Sequence, residues 1–496
     1  MGISLGIQCC SYTDLMSSEY FLCLDQGGTH SRAVVISEQA EIISQARLPI
    51  SHKRYQGGRV EQQPEQLLTS LRNCALQAVE QLSTVQRRQL KACGLVCQRS
   101  SLLAWRNTDG VAITPVLSWQ DTRAHALVPN NSRALNTLQH LTGLRANAHF
   151  GATKMQYLLA NEPVVQQAAA NNRLYLSPLA SYLTYHLLEE KPYCVDAANA
   201  QRSLLMNISR NDWDEQLLKH FFIDRRFLPI IHSPQQALCW GHLKVDSLCL
   251  PMTLLSGDQS AAVFSHGPLS ADTVIINWGT GAFLLADASD KKSSQLMPLL
   301  MSLSAEVDQR LIEATVNGCG AALDWLAENY ADAIDPKAIQ HALDAPDQGG
   351  VFINTVGGLG SPDWQSQIKP VFINADNGLA RLQSVLESMV FLIQRNLDVM
   401  KEHQPKLSRL AVSGGLSKSH ELCQRLADLS GMEVLLGESH EATALGMAYC
   451  MSKRKYLWPA HAATTIAPRP QPSLTQRYQR WTEQLALHIS ASPVGK

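Results

Sequence analysis

The sequence has almost no net charge and no long apolar run. Its 42 basic residues are balanced by 43 acidic residues, which leaves a formal charge of −1. Binding to nucleic acid or to an anionic membrane usually requires a basic surface, so neither partner is expected. No stretch approaches the roughly 20 apolar residues that span a bilayer, and residues 1–20 lack the basic start and apolar core of a secretory signal. We therefore expect a cytoplasmic protein whose residues 1–20 form an extension before the first strand.

Several motifs that define common enzyme classes are also missing. The chain has no GxxxxGK[ST] phosphate loop, and no GxGxxG lies between a first strand and a helix. It has neither the GxSxG turn of a hydrolase nor the HExxH of a zinc protease. Its twelve cysteines are scattered along the chain and form no pair of CxxC units. A structural zinc site is therefore disfavoured, and free thiols in a reducing compartment are expected.

Length and hydrophobic pattern predict two large α/β domains. The chain has 496 residues, well beyond the roughly 250–300 residues at which a single core stops growing. After three short strands from residue 21, the first half predicts a helix at 62–84, a strand at 90–98, a strand pair at 102–106 and 111–119, and a mostly helical region at 133–190. Similar signals begin again near residue 250. We therefore predict a duplicated fold with a cleft between its halves.

The second half ends in a segment with weaker signals. Helices are predicted at 320–333 and 380–400, and a strand at 407–415 runs into a double glycine before another helix. The tail from Leu457 is rich in proline, threonine and glutamine, so we expect it to be irregular before a short final helix at 473–490.

Two glycine and threonine turns could each approach a phosphate group. Gly27-Gly28-Thr29 and Gly279-Thr280-Gly281 both lie between strand patterns. Small residues let backbone N–H groups come close to phosphate oxygens, and threonine adds a hydroxyl donor. Arg32 adds a positive charge close to the first turn. Taken alone, each turn is more often a plain hairpin.

Two aspartates end predicted strands. Asp258 in LLSGDQSAAV could act as a general base for a hydroxyl, or it could simply cap the helix that follows. Asp25 could hold Mg²⁺ directly or through water, or it could cap a turn. The local sequence does not choose between these roles.

Taken in order, eight motifs resemble those of the FGGY carbohydrate kinases, and within that family the glycerol kinases most closely. The motifs are DQGGTHSR (25–32), CQRSS (97–101), WQDTR (119–123), GDQSAA (257–262), NWGTGAFLL (277–285), GCGAALDWL (318–326), SGGLSKS (413–419) and ATALGMAY (442–449). They keep the family's order and about its spacing. A chance ordering of eight such motifs is improbable.

The resemblance implies an actin/hexokinase-like (ribonuclease H-like) α/β fold with two duplicated domains that close on a cleft. The implied domains are 21–265, on the sugar or polyol side, and 266–456, on the nucleotide side, followed by a tail at 457–496. The implied activity is transfer of a phosphoryl group from ATP, with Mg²⁺, to a hydroxyl of a small polyol or sugar. Nothing in the sequence decides whether the chain forms a homo-oligomer.

The resemblance also assigns roles to residues of this chain. Asp25 resembles the metal-associated aspartate, and Asp258 resembles the catalytic base. The implied nucleotide contacts are Gly27, Thr29, Arg32, Gly279, Thr280, Gly320, Asp324, Gly415 and Ser419. The implied substrate contacts are Arg99, Ser100, Trp119, His149, Asp258, Gln259 and Phe283.

Five positions depart from the glycerol kinase pattern. Ser100 replaces a glutamate, His149 a tyrosine, Tyr157 a tryptophan and Asp324 a glutamine, while Gly28 stands where most members have serine or threonine. Loss of a buried acceptor typically costs about 1–3 kcal/mol, enough to change the preference among polyols. A ketose or a larger polyol is therefore an alternative to glycerol. A further alternative is a non-catalytic actin-fold protein that binds nucleotide or sugar in a regulatory role.

Overall fold

The computed structural model describes residues 18–129, 132–232, 239–306, 309–330, 332, 334–365, 368–437, 441–453, 455–458 and 463–491. The strands are β1 (Tyr20–Gln26), β2 (His30–Ser37), β3 (Ile42–Pro49), β4 (Lys53–Tyr55), β5 (Arg59–Gln62), β6 (Leu90–Cys97), β7 (Leu102–Arg106), β8 (Val116–Leu117), β9 (Leu174–Pro178), β10 (Cys194–Asp196), β11 (Met206–Asn207), β12 (Asp212–Trp213), β13 (Ile230–His232), β14 (His242–Val245), β15 (Leu248–Gly257), β16 (Thr273–Trp278), β17 (Ala282–Asp287), β18 (Leu300–Leu303), β19 (Arg310–Val316), β20 (Val351–Ile353), β21 (Val371–Ile373), β22 (Arg409–Ser413), β23 (Glu433–Gly437) and β24 (Ala463–Ile466).

The α-helices are α1 (Pro64–Glu80), α2 (Thr84–Gln89), α3 (Ser132–Thr142), α4 (Gly151–Asn161), α5 (Pro163–Ala170), α6 (Leu179–Leu187), α7 (Ala197–Gln201), α8 (Glu215–Phe221), α9 (Asp258–Ala262), α10 (Gly320–Asn329), α11 (Pro336–Asp344), α12 (Gly378–His403), α13 (His420–Ser430), α14 (Ala442–Met451) and α15 (Pro472–Ala491). None of the helices within the described ranges is both long and apolar enough to cross a membrane.

The two largest sheets repeat one connectivity. Their strand orders are β14-β15-β6-β1-β2-β3 and β18-β19-β17-β16-β22-β23-β24. In the first, β1, β2 and β3 pair antiparallel, and β6 and β15 add in parallel. In the second, β16, β17 and β19 pair antiparallel, and β22 and β23 add in parallel. The repetition confirms the predicted duplicated α/β fold.

Each sheet has its own hydrophobic core. Buried side chains of α1 and α6 pack on one face of the first sheet. The long helix α12 packs on the second sheet together with α10 and α13. A third core holds α3, α4, α5 and α8 against β7 and β9, which belong to the separate sheet β4-β5-β8-β7-β9. The first half of the chain therefore carries an additional subdomain beside its main sheet.

A fourth core lies between the two main sheets and joins the halves. It contains side chains from β1, β2, β6 and α9 of the first half and from β16, β17, β22 and α14 of the second. Helices α9 and α14 meet so closely that a Cβ at Gly446 would lie 1.9 Å from the carbonyl oxygen of Ala261. Only glycine permits this approach. The packing therefore fixes how the two sheets face the cleft.

Three sequence predictions differ from the structure. The region 133–190 contains the strand β9, whose five residues pair with β7 between two helices and are too short to stand out from the helical pattern. Only Val116–Leu117 of 111–119 is a strand. The tail is more regular than expected, because β24 extends the second sheet at β23, whereas the final helix predicted at 473–490 is confirmed by α15.

The predicted extension and domain bounds are only partly covered by the structure. Residues 1–17 lie outside the described residues, and β1 begins at Tyr20. The bounds 21–265 and 266–456 stay a prediction.

Candidate active site

The parallel strands of the first sheet end in register and bring three motifs to one edge. Gln26 on β1 pairs with Cys97 on β6, and Cys97 pairs with Gly257 on β15. The residues that follow, Gly27, Gln98 with Arg99, and Asp258, therefore start from the same edge of the sheet. In the second sheet Asn277 on β16 pairs with Ser413 on β22, so the turns after both strands are neighbours in the same way.

The turn between β1 and β2 carries a buried carboxylate. Arg32 Nη1 lies 3.8 Å from Asp25 Oδ2 and 3.6 Å from Glu441 Oε2. Asp25 Oδ1 is buried and has no hydrogen-bond partner among the residues that the structure describes. Burial raises the pKa of Asp25 to about 7; Arg32 opposes this shift, and the carboxylates of Asp258 and Glu441 add to it. An unsatisfied carboxylate of this kind is suited to a cation.

At the tip of the same turn, Thr29 is exposed and hydrogen-bonded to a histidine that the sequence did not single out. Thr29 Oγ1 and Arg47 Nη2 each lie 3.0 Å from His30 Nδ1. A guanidinium can only donate, so this nitrogen is an acceptor. Burial, together with the nearby Arg47 and Arg32, lowers the pKa of His30. Neutral His30 therefore orients the Thr29 hydroxyl at the tip of the turn.

The turn between β16 and β17 rests on the beginning of α10. Gly279 N–H donates to Gly281 O at 2.8 Å, and the N–H groups of Cys319, Gly320 and Ala321 donate to carbonyls of Gly279 and Thr280 at 3.0 Å. A Cβ at Gly320 would lie 3.1 Å from Gly279 O. The structure therefore places Gly320 beneath the turn as a packing position, while the side chain of Thr280 is exposed.

The double glycine after β22 lies against the end of β16. Gly414 has φ 97°, and a Cβ there would lie 2.5 Å from Trp278 O. Gly415 is exposed, and Ser419 caps α13 by accepting a 3.4 Å hydrogen bond from Leu422 N–H. Asp324 is exposed on α10. Roles for Asp324, Gly415 and Ser419 in nucleotide binding stay predictions.

Asp258 begins α9 and faces the cleft between the halves. Its Oδ1 lies 3.6 Å from Arg99 Nε and accepts a 2.7 Å hydrogen bond from Gln259 N–H. Burial raises the pKa of Asp258, and Arg99 opposes the shift. The adjacent Gln259 receives a 3.3 Å hydrogen bond from Asn277 of the second half. The two predicted halves of the site are therefore in direct contact.

Arg99 also takes part in a buried ion triad that sequence reasoning missed. Glu313 on β19 is fully buried and accepts from Arg99 Nη1 at 3.1 Å and from Arg202 Nη2. Burial opposes ionisation of Glu313, but Arg202 and Arg99 prevail and lower its pKa to about 2. A Cβ at Gly257 would lie 2.6 Å from Arg99 Cγ, so the glycine leaves room for Arg99. A lone acid in the apolar strand RLIEATV was the only signal in the sequence.

The predicted substrate contacts Ser100, Trp119 and His149, here called the substrate wall, are held in place by hydrogen bonds to backbone groups. Lys154 is fully buried and donates 2.9 Å hydrogen bonds to the carbonyls of Ser100 and Ser118. Trp119 N–H donates to Ser101 Oγ at 2.9 Å, and His149 Nδ1–H donates to Trp119 O at 2.9 Å. Burial lowers the pKa of His149, which is consistent with a neutral ring.

Among the other residues of these motifs, some stabilise a loop and others are only partly buried. Ser100 has φ 67°, which is uncommon for a residue with a side chain. In WQDTR, Asp121 accepts from Arg123 and from Val60 N–H, so both charged residues stabilise the loop. Phe283 is partly buried on β17, opposite Asn277.

Replacement of Lys154 by methionine should destabilise the protein in a pH-dependent way. Burial lowers the pKa of Lys154 to about 7 from its ordinary 10.5, so between these values the unfolded chain binds a proton that the folded chain does not. The free energy of unfolding of the wild type should therefore rise relative to Lys154→Met by about 2 kcal/mol from pH 7 to pH 9. Urea unfolding at several pH values measures this difference. The exposed Lys53→Met is the control, and a flat difference for Lys154 would contradict the prediction.

Replacement of Glu313 by glutamine should be strongly destabilising. The change removes the buried carboxylate that Arg99 and Arg202 share, although Asp258 still lies near Arg99, and breaking such a group costs about 3–5 kcal/mol. Urea denaturation followed by tryptophan fluorescence measures the loss. Asp224→Asn removes the exposed partner of Arg226 and should have little effect. Equal behaviour of the two variants would show that the triad does not constrain the fold.

Comparisons with known proteins match both halves of the chain to one family. Residues 20–264 match the N-terminal domain, and residues 274–453 the C-terminal domain, of the FGGY family of carbohydrate kinases. Glycerol kinase of Albidiferax ferrireducens is 30% identical over 447 residues, covering 87% of this chain and 90% of that protein. Glycerol kinase of Nitratidesulfovibrio vulgaris is 28% identical over 456 residues, covering 89% and 91%.

Solved structures share the fold at lower identity. Plasmodium falciparum glycerol kinase with ADP superposes with a TM-score of 0.81 at 21% identity and covers 96% of this chain and 99% of its own. Gluconate kinase of Lactobacillus acidophilus gives 0.82 at 16% identity, with coverage of 96% and 98%. With two actin-like domains matched along nearly its whole described length, this chain belongs to the FGGY family of carbohydrate kinases, phosphotransferases that use an alcohol group as acceptor.

Proposed function

We propose that this protein transfers the γ-phosphoryl group of ATP to a hydroxyl of a small polyol or sugar, with Asp258 as the general base. The observation that carries the proposal is the position of Asp258. Its carboxylate lies at the edge where β1, β6 and β15 end, 3.6 Å from Arg99 and close enough to Asp25 to raise the pKa of that group. A base at this position can meet a hydroxyl beside the first phosphate turn.

Asp258 is poised for proton transfer by two opposing influences. Burial raises its pKa above the ordinary range, which makes the carboxylate a better base, while Arg99 keeps it ionised. As the substrate hydroxyl attacks the phosphorus atom in line with the leaving oxygen, its proton passes to Asp258. Gln259, which follows Asp258, accepts a hydrogen bond from Asn277 of the second half.

The phosphate chain of ATP would lie between the two glycine and threonine turns. Gly27 and Thr29 on one side and Gly279 and Thr280 on the other offer backbone and hydroxyl donors, and Arg32 offers a guanidinium. The exposed side chains of Thr29 and Thr280 can reach a ligand in the cleft. Donors from two domains can spread the charge of a loose transition state, where positioning is most of catalysis.

The residues present fit a magnesium ion that arrives with the nucleotide. Asp25 Oδ1 is a buried oxygen without a hydrogen-bond partner in the described chain, and Glu441 is a second carboxylate on the other side of Arg32. No group of three or more potential metal ligands occurs among the described residues, so phosphate oxygens and water would complete the shell around Asp25. The ion would supply positive charge to the phosphate oxygens.

The residues of the substrate wall indicate the class of substrate but do not choose one member of that class. Arg99 offers a donor, and Trp119 and Phe283 offer apolar surface on either side of the cleft. Ser100 offers no carboxylate to a polyol hydroxyl, and its carbonyl is occupied by Lys154. The named relatives include kinases of glycerol, xylulose and gluconate. We therefore propose a glycerol-like polyol or a ketose of similar size.

An ADP-release assay with candidate acceptors tests the activity. The panel contains glycerol, dihydroxyacetone, xylulose, ribulose, sedoheptulose and erythritol. With Mg²⁺ and ATP, at least one of these should stimulate ADP release well above the rate with ATP alone, because closure around an acceptor excludes water from the site. If none does, the proposed kinase activity is wrong.

The variant Asp258→Asn tests the role of the base. It keeps the shape of the side chain but cannot accept the proton, so kcat for the best acceptor should fall by about 10²–10⁴-fold. Nucleotide affinity, measured by calorimetry, should stay within about twofold of the wild type because Asp258 is placed on the acceptor side. Asp224→Asn, at an exposed ion pair, is the control for folding and activity. A normal kcat in Asp258→Asn would remove this residue from catalysis.

A further inference from the structure

A second arginine, which the sequence motifs do not include, lies beside the first phosphate turn. Arg47 on β3 is the cross-strand partner of Arg32 on β2, and Arg32 is the partner of Asp25 on β1. Cross-strand partners point to the same face of a sheet. The three side chains therefore form a row across the first sheet, at the end of the strands where the turn lies.

This row is on the face of the sheet that is turned toward the second half of the chain. Val34 and Ile36 lie two and four residues after Arg32 on β2, and both are buried in the fourth core, between the two main sheets. Side chains alternate along a strand, so Arg32 and its partner Arg47 share the face of this core. Arg47 is exposed, so it can meet a ligand that enters between the halves.

Arg47 is held at the turn by an uncharged partner. Its Nη2 donates to Nδ1 of His30 at 3.0 Å, and Thr29 Oγ1 lies 3.0 Å from the same nitrogen. No carboxylate lies within ion-pair distance of Arg47 among the residues that the structure describes. Because a neutral imidazole does not cancel its charge, Arg47 offers a full positive charge and its remaining N–H donors to a ligand.

The charge of Arg32 is balanced to a greater extent. Its Nη1 lies 3.8 Å from Asp25 Oδ2 and 3.6 Å from Glu441 Oε2. Like charges directly opposite each other on a sheet are unfavourable, yet Arg47 is bonded to His30 on the same side of the sheet as Arg32. An anion between the two guanidinium groups would relieve this repulsion. Phosphate oxygens are well suited, because a guanidinium forms strong charge-assisted hydrogen bonds to them.

We propose that Arg47 binds the γ-phosphoryl group of ATP, as a second guanidinium beside Arg32. This rests on the proposed function, because ATP is the ligand of that site. The nucleotide is expected on the second half of the chain, so the γ-phosphoryl end of its phosphate chain is the part that reaches the first turn. Thr29, which is proposed to contact this group, is joined to Arg47 through His30. His30 is then a positioning residue, which holds the hydroxyl and the guanidinium side by side.

Calorimetry with two nucleotides tests the role of Arg47 in the full-length protein. The ligands are ADP and the β,γ-imido analogue of ATP, each with Mg²⁺ and without an acceptor. In Arg47→Gln the affinity for the analogue should fall by about tenfold, because one charge-assisted hydrogen bond to the γ-phosphoryl group is lost. The affinity for ADP, which lacks this group, should stay within about twofold of the wild type.

Arg54→Gln is the matched control. Arg54 lies on the neighbouring strand β4 and donates to Gln120 Oε1 at 2.6 Å, away from the turn. The variant removes the same charge from the same exposed side of the protein, so it reports the general electrostatic effect on a nucleotide. It should change neither affinity by more than about twofold. An equal loss of analogue binding in Arg54→Gln and Arg47→Gln would overturn the proposed contact.

Variants of His30 test its positioning role. His30→Phe keeps a ring but removes the acceptor of Arg47, so the affinity for the analogue should fall by about threefold or more. His30→Asn offers a side-chain oxygen near the position of Nδ1 and should restore most of this loss. In the Arg47→Gln background, His30→Phe should cost less, because His30 then holds only Thr29. Equal costs in both backgrounds would show that His30 does not act through Arg47.

The outcomes separate this inference from the proposed activity. If Arg47→Gln leaves both affinities unchanged, or weakens ADP as much as the analogue, Arg47 does not bind the γ-phosphoryl group, while the kinase activity can still stand. If the wild type binds neither nucleotide, both proposals are wrong. If the affinity for the analogue responds to Arg47→Gln as expected but no acceptor stimulates ADP release, the kinase proposal fails and the role of Arg47 stands.

Discussion

The arrangement of the site depends on one buried carboxylate shared by two arginines across the domain boundary. Glu313 belongs to the second sheet, while Arg99 and Arg202 come from the first half of the chain. A buried charge without a partner is far more costly than a paired one, so the halves must pack in the one arrangement that brings all three together. The close approach of α9 and α14 at Gly446 fixes the same arrangement through apolar packing. Charge and shape therefore select one geometry of the cleft.

Because Arg99 contacts both Glu313 and Asp258, the structural triad also sets the chemistry of the proposed base. Burial raises the pKa of Asp258, Arg99 lowers it, and the negative charge of Glu313 partly offsets the effect of Arg99, so the pKa stays raised. Nearby, the carboxylates of Asp25 and Glu441 both lie close to the guanidinium of Arg32. Their mutual repulsion destabilises the ligand-free site and is relieved when a cation binds there. The site is thus built around charges that its ligands complete.

Whether the sequence could predict a feature depends on how far apart in the chain the residues that form it lie. The turns at Gly27 and Gly279 are local, with strand, glycine and strand adjacent in the chain, and the structure has both. The contact between Arg99 and Glu313 joins residues 214 positions apart, and no periodicity or spacing announces it. Likewise, the pairing of β24 with β23 depends on a sheet edge that exists only after folding. Motif order indicated the family, but the partners that tune each motif required the tertiary structure.

Two departures of this chain from the glycerol kinase pattern, Ser100 and His149, lie on the predicted substrate wall, which is held through its backbone. Lys154 fixes the carbonyls of Ser100 and Ser118, and His149 fixes the carbonyl of Trp119. Because Lys154 binds backbone carbonyls, the side chain of Ser100 can differ from the family pattern while the shape of the wall persists. Ser100 and His149 then change the pattern of donors and acceptors at the proposed substrate site, outside the phosphate turns. On the proposed assignment, phosphoryl transfer and substrate choice use different residues, so relatives at 26–30% identity inform the first more than the second.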